Sequence, residues 1–125
     1  MLNQKYKIAI IEDEHPIADM YRFKLENEGF LVSVAYNGEE GLMLCETFMP
    51  NLILLDIRMP VMSGDIMLEK LRSTNWGKDI RVIVLTNISK DEAPLRLRLL
   101  NVDRYIVKAH HTPKQILEII YEVLR

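Results

Sequence analysis

Two hydrophobic periods alternate along this chain. Short runs rich in Ile, Val and Leu fall at residues 6–11 (YKIAII), 31–36 (LVSVAY), 51–55 (NLILL), 80–85 (IRVIVL) and 104–107 (RYIV). Each has the length of a strand. IAII, LILL and VIVL are almost continuously apolar, the pattern of strands covered on both faces. Segments with helical spacing lie between them. Residues 15–28 set Ile17, Met20, Tyr21 and Leu25 on one side, and Gly29 comes next as a helix-ending glycine. Residues 39–48 lie just beyond Asn37, a residue suited to the N-cap, with Glu40 three positions on. Residues 63–71, roughly 91–100, and 113–124 complete the helical set. The last opens with Thr112 as N-cap, Pro113 at the first helical position and Gln115 as capping-box partner. The fourth accommodates Pro94 only if it starts near Asp91, leaving the proline in the first turn.

Five strands alternating with five helices predict an α/β domain built on a doubly wound parallel sheet. The 125 residues suit one domain, with no internal repeat, low-complexity tract or linker. Hydrophobic residues make up 49% and charged residues 27%, enough for a packed core. The net charge of −2 argues against a nucleic-acid footprint, which needs a basic excess. A single cysteine, Cys45, has no internal disulfide partner, so a reducing cytoplasmic setting is expected. No secretory apolar stretch opens the chain, and no apolar run approaches the roughly 20 residues of a membrane span.

In such sheets the ligand site lies beyond the carboxyl ends of the strands. Glu12, Asp13 and Glu14 come after the first strand, Asp56 after the third, Thr86 after the fourth and Lys108 after the fifth. Two carboxylates brought within about 5 Å repel by roughly 3 kcal/mol at an effective dielectric near 20. Such a cluster either keeps a proton or binds a cation. Oxygen ligands without His or Cys favour Mg²⁺, with Mn²⁺ the alternative. With a cation in place a phosphate can approach, and Lys108 and Thr86 can hold its oxygens.

IIEDEHPI after the first strand, LLDIRMPVMSG after the third, VLTN after the fourth and YIVK after the fifth resemble the receiver domain of two-component response regulators. The four motifs occur in order and span essentially the whole chain, 1–125. The resemblance implies a flavodoxin-like (βα)5 fold with strand order 2-1-3-4-5. It implies a phosphoacceptor that is not itself an enzyme, with Asp56 taking the phosphoryl group from a sensor histidine kinase, a phosphotransfer protein or a small donor. It further implies that Asp13 ligates Mg²⁺ directly, Glu12 through a metal-bound water, and Arg58 through its backbone carbonyl. Thr86 matches the switch hydroxyl, Tyr105 the switch aromatic that rotates inward, and Lys108 the phosphoryl-contacting lysine. Pro60 and Gly64 match the turn that shapes the acceptor loop. The implied output is a changed surface on the fourth helix, fifth strand and fifth helix, read by a downstream protein or an output domain outside this chain.

Departures from the family pattern carry their own expectations. Ala109 stands after Lys108 where proline, often behind a cis bond, is usual. A cis bond before alanine costs about 2.5–4 kcal/mol, so a trans bond or a rearranged loop is expected there. Asn87 stands where a small residue is common and would narrow access to the phosphoryl group. Arg58 and Ile88 occupy positions that tune attack by water. Glu14 suits a plain helix-terminal charge. His110 and His111 suit solvated loop positions, and Met59 and Met62 an apolar lip on the acceptor loop. In the fifth helix, Ile116, Ile119, Ile120 and Val123 are expected on the sheet, with Leu117, Tyr121 and Leu124 partly exposed. In the fourth, Leu95, Leu97, Leu99 and Leu100 lie beside Arg96 and Arg98, and the joint face of the fourth and fifth helices suggests a homodimer or partner surface.

Competing readings on the same architecture fit less well. A flavin-binding phosphate loop wants Ser, Thr and Gly after the first strand, where Glu12-Asp13-Glu14 stand. A haloacid-dehalogenase-type phosphatase wants a second Asp two residues after the nucleophile, where Arg58 stands. A phosphorylation-independent interaction domain with a decayed site is the remaining alternative, favoured by Ala109 and Asn87 and opposed by the intact Asp13, Asp56, Thr86 and Lys108.

Overall fold

The computed structural model describes residues 6–125; the reading of the first five residues lies outside them. Five strands, β1 (Lys7–Ile11), β2 (Leu31–Ala35), β3 (Leu52–Leu55), β4 (Arg81–Thr86) and β5 (Arg104–Val107), form one sheet in the order β2-β1-β3-β4-β5. Every pairing is parallel. Alternation along the strands divides the core between the two faces. Ile8, Ile10, Leu52, Leu54, Ile83 and Leu85 face one layer. Ala9, Ile11, Ile53, Leu55, Val82 and Val84 face the other. Each such buried Ile, Leu or Val contributes about 1.5–3 kcal/mol of transfer free energy.

Among the described residues, four α-helices cover the faces: α1 (His15–Asn27), α2 (Gly38–Phe48), α3 (Gly64–Arg72) and α4 (Pro113–Leu124). Their ends obey the sequence signals. Gly29 takes φ 97° just beyond α1, a left-handed conformation that costs glycine little. The Asn37 side chain accepts from the Glu40 amide at the start of α2, and Thr112 with Gln115 closes a full capping box on α4.

Two expected faces are corrected. Along α1 the buried stripe is Ala18, Tyr21 and Leu25, an i, i+3, i+7 line, whereas Met20 lies one position off it and is 38% exposed. On α4, Leu124 is buried with Ile116 and Ile120, while Ile119 and Val123 join the core only partly. The larger correction concerns the expected fourth helix. In its place residues 90–99 hold two short 3₁₀ turns, Lys90–Glu92 and Leu95–Leu99, separated by extended backbone at Ala93 and Pro94. Pro94 disfavours the helical region for Ala93 before it and lacks an amide to continue a ladder. The stretch remaining after Pro94 is too short to stand as a helix on its own propensity.

This 3₁₀ segment is fastened to the domain by arginines rather than by a broad apolar face. The Arg72 guanidinium, at the end of α3, donates to the carbonyls of Ile80 (2.7 Å), Leu100 (2.8 Å), Gly77 (3.0 Å) and Asn101 (3.0 Å). Arg96 reaches from the 3₁₀ segment to Asp65 (3.4 Å) and Glu69 (3.3 Å) on α3. Leu97 is its one buried leucine; Leu95 and Leu99 are 72% and 87% exposed.

Candidate functional site

The register of the sheet assembles the site. Ile11 pairs with Leu55, so Glu12 and Asp56 leave neighbouring strands at the same level. The main chain continues that alignment: the Asp56 amide donates to the Ile11 carbonyl and the Glu12 amide to the Ala35 carbonyl, both at 3.0 Å. Thr86 closes β4 opposite Val107, so Lys108 emerges from β5 beside it. Residues far apart in sequence thus meet at one rim.

Carboxylate oxygens of Glu12, Asp13 and Asp56 all lie within 4.8 Å of one another. Glu12 and Asp56 are buried, Asp13 half-buried. Lys108 answers this charge from β5: its Nζ donates to Glu12 Oε1 and to Asp56 Oδ2, the latter at 3.2 Å. The second Asp56 oxygen accepts from the Ile57 amide (2.7 Å), and Glu12 Oε2 accepts from the Glu14 amide (3.1 Å). An open cavity of about 240 Å³ fronts the cluster, with Thr86, Asn87, Ile88, Arg58 and Lys108 on its walls. Three hard anionic ligands around a space open to solvent suit a small divalent cation such as Mg²⁺.

Burial and crowding set the electrostatics. Burial pushes the Glu12 carboxyl up to about 7, with the Asp56 charge adding and the Lys108 and Glu14 hydrogen bonds opposing. Burial alone would depress the Lys108 ammonium, but the Glu12 and Asp56 carboxylates carry it above its ordinary value, so it stays charged. Because Glu12 binds its proton more tightly folded than unfolded, its contribution to stability is full below pH 4.5 and disappears as pH rises through about 7. In chelator, stability is therefore expected to fall by roughly 1–3 kcal/mol between about pH 4.5 and about pH 7.5. Glu12→Gln should flatten that fall, as read by chemical denaturation at each pH; an unchanged slope would refute the assignment.

The acceptor loop after β3 is wound tightly. The Gly64 amide donates to the Ile57 carbonyl and the Met62 amide to the Pro60 carbonyl, both at 2.7 Å. That second bond spans three residues and holds Val61 at φ 68°, a strained conformation for a β-branched side chain. Val61 is 75% exposed, whereas Met59 and Met62 turn back against the core under α2 and α3. The loop is gripped from α2 as well, where the Gly38 amide donates to the Met62 carbonyl at 2.9 Å.

The remaining rim residues differ in their settings. Thr86 is buried, its Oγ1 accepting weakly from the Ile88 amide (3.4 Å). Tyr105 is half-buried, its hydroxyl donating to the Ile88 carbonyl at 2.7 Å. Asn87 and the Arg58 side chain are exposed. No peptide bond among the described residues is cis; Lys108 enters a 3₁₀ turn with Ala109 and still reaches both carboxylates. Glu14 caps α1 without a side-chain bond, and His110 is exposed. Sequence reasoning missed the Arg72 clamp and the place of Tyr21 beneath Glu12 and Asp56, although a hydroxyl on a buried helix stripe was a usable signal.

A doubly wound sheet with an acidic cluster and a lysine at its carboxyl rim is the class of architecture that the four motifs suggested. The model of the response regulator receiver domain matches residues 8–121. Among curated proteins, the phosphate regulon transcriptional regulatory protein PhoB of Rhizobium meliloti is 32% identical over 108 residues, covering 86% of this chain and 48% of that protein. The probable transcriptional regulator ycf27 of Porphyra purpurea is 33% identical over all 125 residues and 50% of its own length. The chain thus spans about half the length of these curated relatives. Among solved structures, a CheY-like receiver domain protein from Methanospirillum hungatei superposes with a TM-score of 0.86 at 33% identity, covering 95% of this chain and 93% of that one. TrrA from Thermotoga maritima, solved in complex with Mg²⁺-BeF, gives 0.83 at 29% identity, over 95% and 99% of the two chains. The chain belongs to the receiver domain family of two-component response regulators. No helix among the described residues is long and apolar enough to cross a membrane.

Proposed function

We propose that this receiver takes a phosphoryl group on Asp56 from a sensor histidine kinase, a phosphotransfer protein or a small phosphodonor, in a Mg²⁺-dependent reaction. The observation that carries the reading is Lys108 bridging Glu12 and Asp56 inside a three-carboxylate cluster. Glu12, Asp13 and Asp56, with the Arg58 backbone carbonyl, would hold the cation, which when bound offsets charge on the transferred oxygens. One Asp56 oxygen, fixed by the Ile57 amide, leaves the other to attack phosphorus in line as the donor oxygen or nitrogen departs. Lys108 then exchanges its carboxylate partners for a phosphoryl oxygen, and the Thr86 hydroxyl takes another.

Movement of Thr86 has a mechanical outlet. Tyr105 is tied to the Ile88 carbonyl, two residues past Thr86, so a shift of that strand end is passed to the 3₁₀ segment and to β5. A groove of about 630 Å³ lies there, bounded by Pro94, Leu97, Arg98, Val102 and Tyr105. Exposed Leu95 and Leu99 carry the apolar surface for a partner or a second copy, rather than α4, whose leucines and isoleucines turn toward the core. Any contact with DNA would belong to an output domain beyond this chain, whose net charge is −2. In this reading the domain works in the cytoplasm, where kinase and phosphodonor reside.

The test treats the protein with Mg²⁺ and acetyl phosphate and reads one phosphoryl mass increment. In parallel, a beryllofluoride titration with Mg²⁺ is monitored by NMR, with shifts expected at Thr86, Ile88 and Tyr105. No response at any Mg²⁺ concentration would favour the phosphorylation-independent interaction reading.

A further inference from the structure

Helix α1 starts at the rim beside the acidic cluster and runs away from it. Side chains on a helix lean toward its N-terminus, so a long residue in the second turn sends its far end back toward the rim. Tyr21 sits there, 6% exposed, its ring in the core between α1 and the sheet. Between it and the carboxylates lies a cavity of about 10 Å³, lined by Ile10, Glu12, Tyr21, Leu54, Asp56 and Leu85. That is the room one water requires, and three of the lining residues are polar, as a retained water requires. No fully buried side-chain oxygen or nitrogen among the described residues lacks a partner, and none of the hydrogen bonds between those residues uses the Tyr21 hydroxyl, so that hydroxyl is within reach of a water. Burial raises its pKa, so it remains protonated and able to donate. A phenylalanine would fill nearly the same volume without bringing a donor to the Glu12 and Asp56 carboxylates.

We propose that Tyr21 is a positioning residue for the acidic site, donating to one water in this cavity that in turn donates to the Glu12 and Asp56 carboxylates from below. The chain of bonds restrains those carboxylates, and so favours cation binding at Glu12, Asp13 and Asp56. This inference rests on the reading of that cluster as a Mg²⁺ site.

The test compares the wild-type chain with Tyr21→Phe, and with Tyr21→Leu as a second variant lacking the ring. High-resolution crystals of the wild type are expected to show a water bonded to the Tyr21 hydroxyl, lost in Tyr21→Phe. Calorimetric titration with Mg²⁺ alone should show both variants weakened about tenfold, the lower end for outer partners of metal ligands. The Tyr21→Phe melting temperature in chelator should stay at the wild-type value. Wild-type Mg²⁺ affinity in Tyr21→Phe, or a dry cavity in wild-type crystals, would overturn the proposal. So would weakening that merely tracks lost fold stability, which would make Tyr21 a packing residue. A wild type that binds no Mg²⁺ fails at an earlier point and overturns the reading of the acidic cluster itself.

Discussion

Asp56→Asn should abolish the phosphoryl mass increment completely while making the metal-free protein more stable. Asparagine keeps an oxygen for the Ile57 amide but has no carboxylate to attack phosphorus. The stability gain comes from the repulsion it relieves. At a separation of 4.8 Å one carboxylate pair costs about 3 kcal/mol at an effective dielectric of 20. Asp56 faces both Glu12 and Asp13, but its loss also weakens one of the two bonds that hold Lys108. The net expectation is roughly 1–2 kcal/mol of stabilisation in chelator. The same substitution removes one cation ligand, so added Mg²⁺ should raise the melting temperature less in the variant than in the wild type. Denaturation with and without Mg²⁺, beside mass spectrometry after acetyl phosphate treatment, reads all three effects. Persistence of the increment in Asp56→Asn would move the acceptor elsewhere. Destabilisation in chelator would mean that the Lys108 bond outweighs the repulsion.

The rim was legible in the sequence because parallel sheets put functional groups at the ends of apolar runs, and those runs are easily seen. IAII, LILL and VIVL mark the central strands, and Glu12, Asp56 and Thr86 stand directly after them. Caps were legible for the same local reason: Asn37 and Thr112 act within three residues of themselves. The expected fourth helix failed because its leucines imitate a helical stripe while Ala93-Pro94 breaks the ladder. Its actual attachments come from Arg72 and Arg96, reaching carbonyls and carboxylates some 27–31 residues away, and no periodicity records such partners. The partner of Tyr105 is equally non-local, since the bond depends on where the Ile88 carbonyl points after β4 ends.

Gly64→Ala should be among the most damaging single methyl additions in the chain. A Cβ at this position would stand 1.9 Å from the Asp56 carbonyl oxygen and 2.9 Å from its carbon, well inside contact distance. Both atoms are backbone, so no rotamer change relieves the clash. The Asp56 amide is bonded to the Ile11 carbonyl and the Gly64 amide to the Ile57 carbonyl, which prevents either segment from sliding freely. Relief requires the acceptor loop to open at its base, breaking the Gly64–Ile57 bond and displacing the start of α3, where Asp65 holds Arg96. Such overpacking against fixed backbone costs about 3–5 kcal/mol, more than the ordinary range for a core methyl because nothing flexible yields. For a domain of this size the melting temperature should fall on the order of 10–20 °C. The displacement also moves Asp56 relative to Glu12 and Lys108, so beryllofluoride response should weaken even at temperatures where the variant stays folded. A variant within about 2 °C of wild type and with full beryllofluoride response would show that the loop base can open without dragging Asp56 along. The acceptor would then owe its position to β3 alone, through the bond between its amide and Ile11.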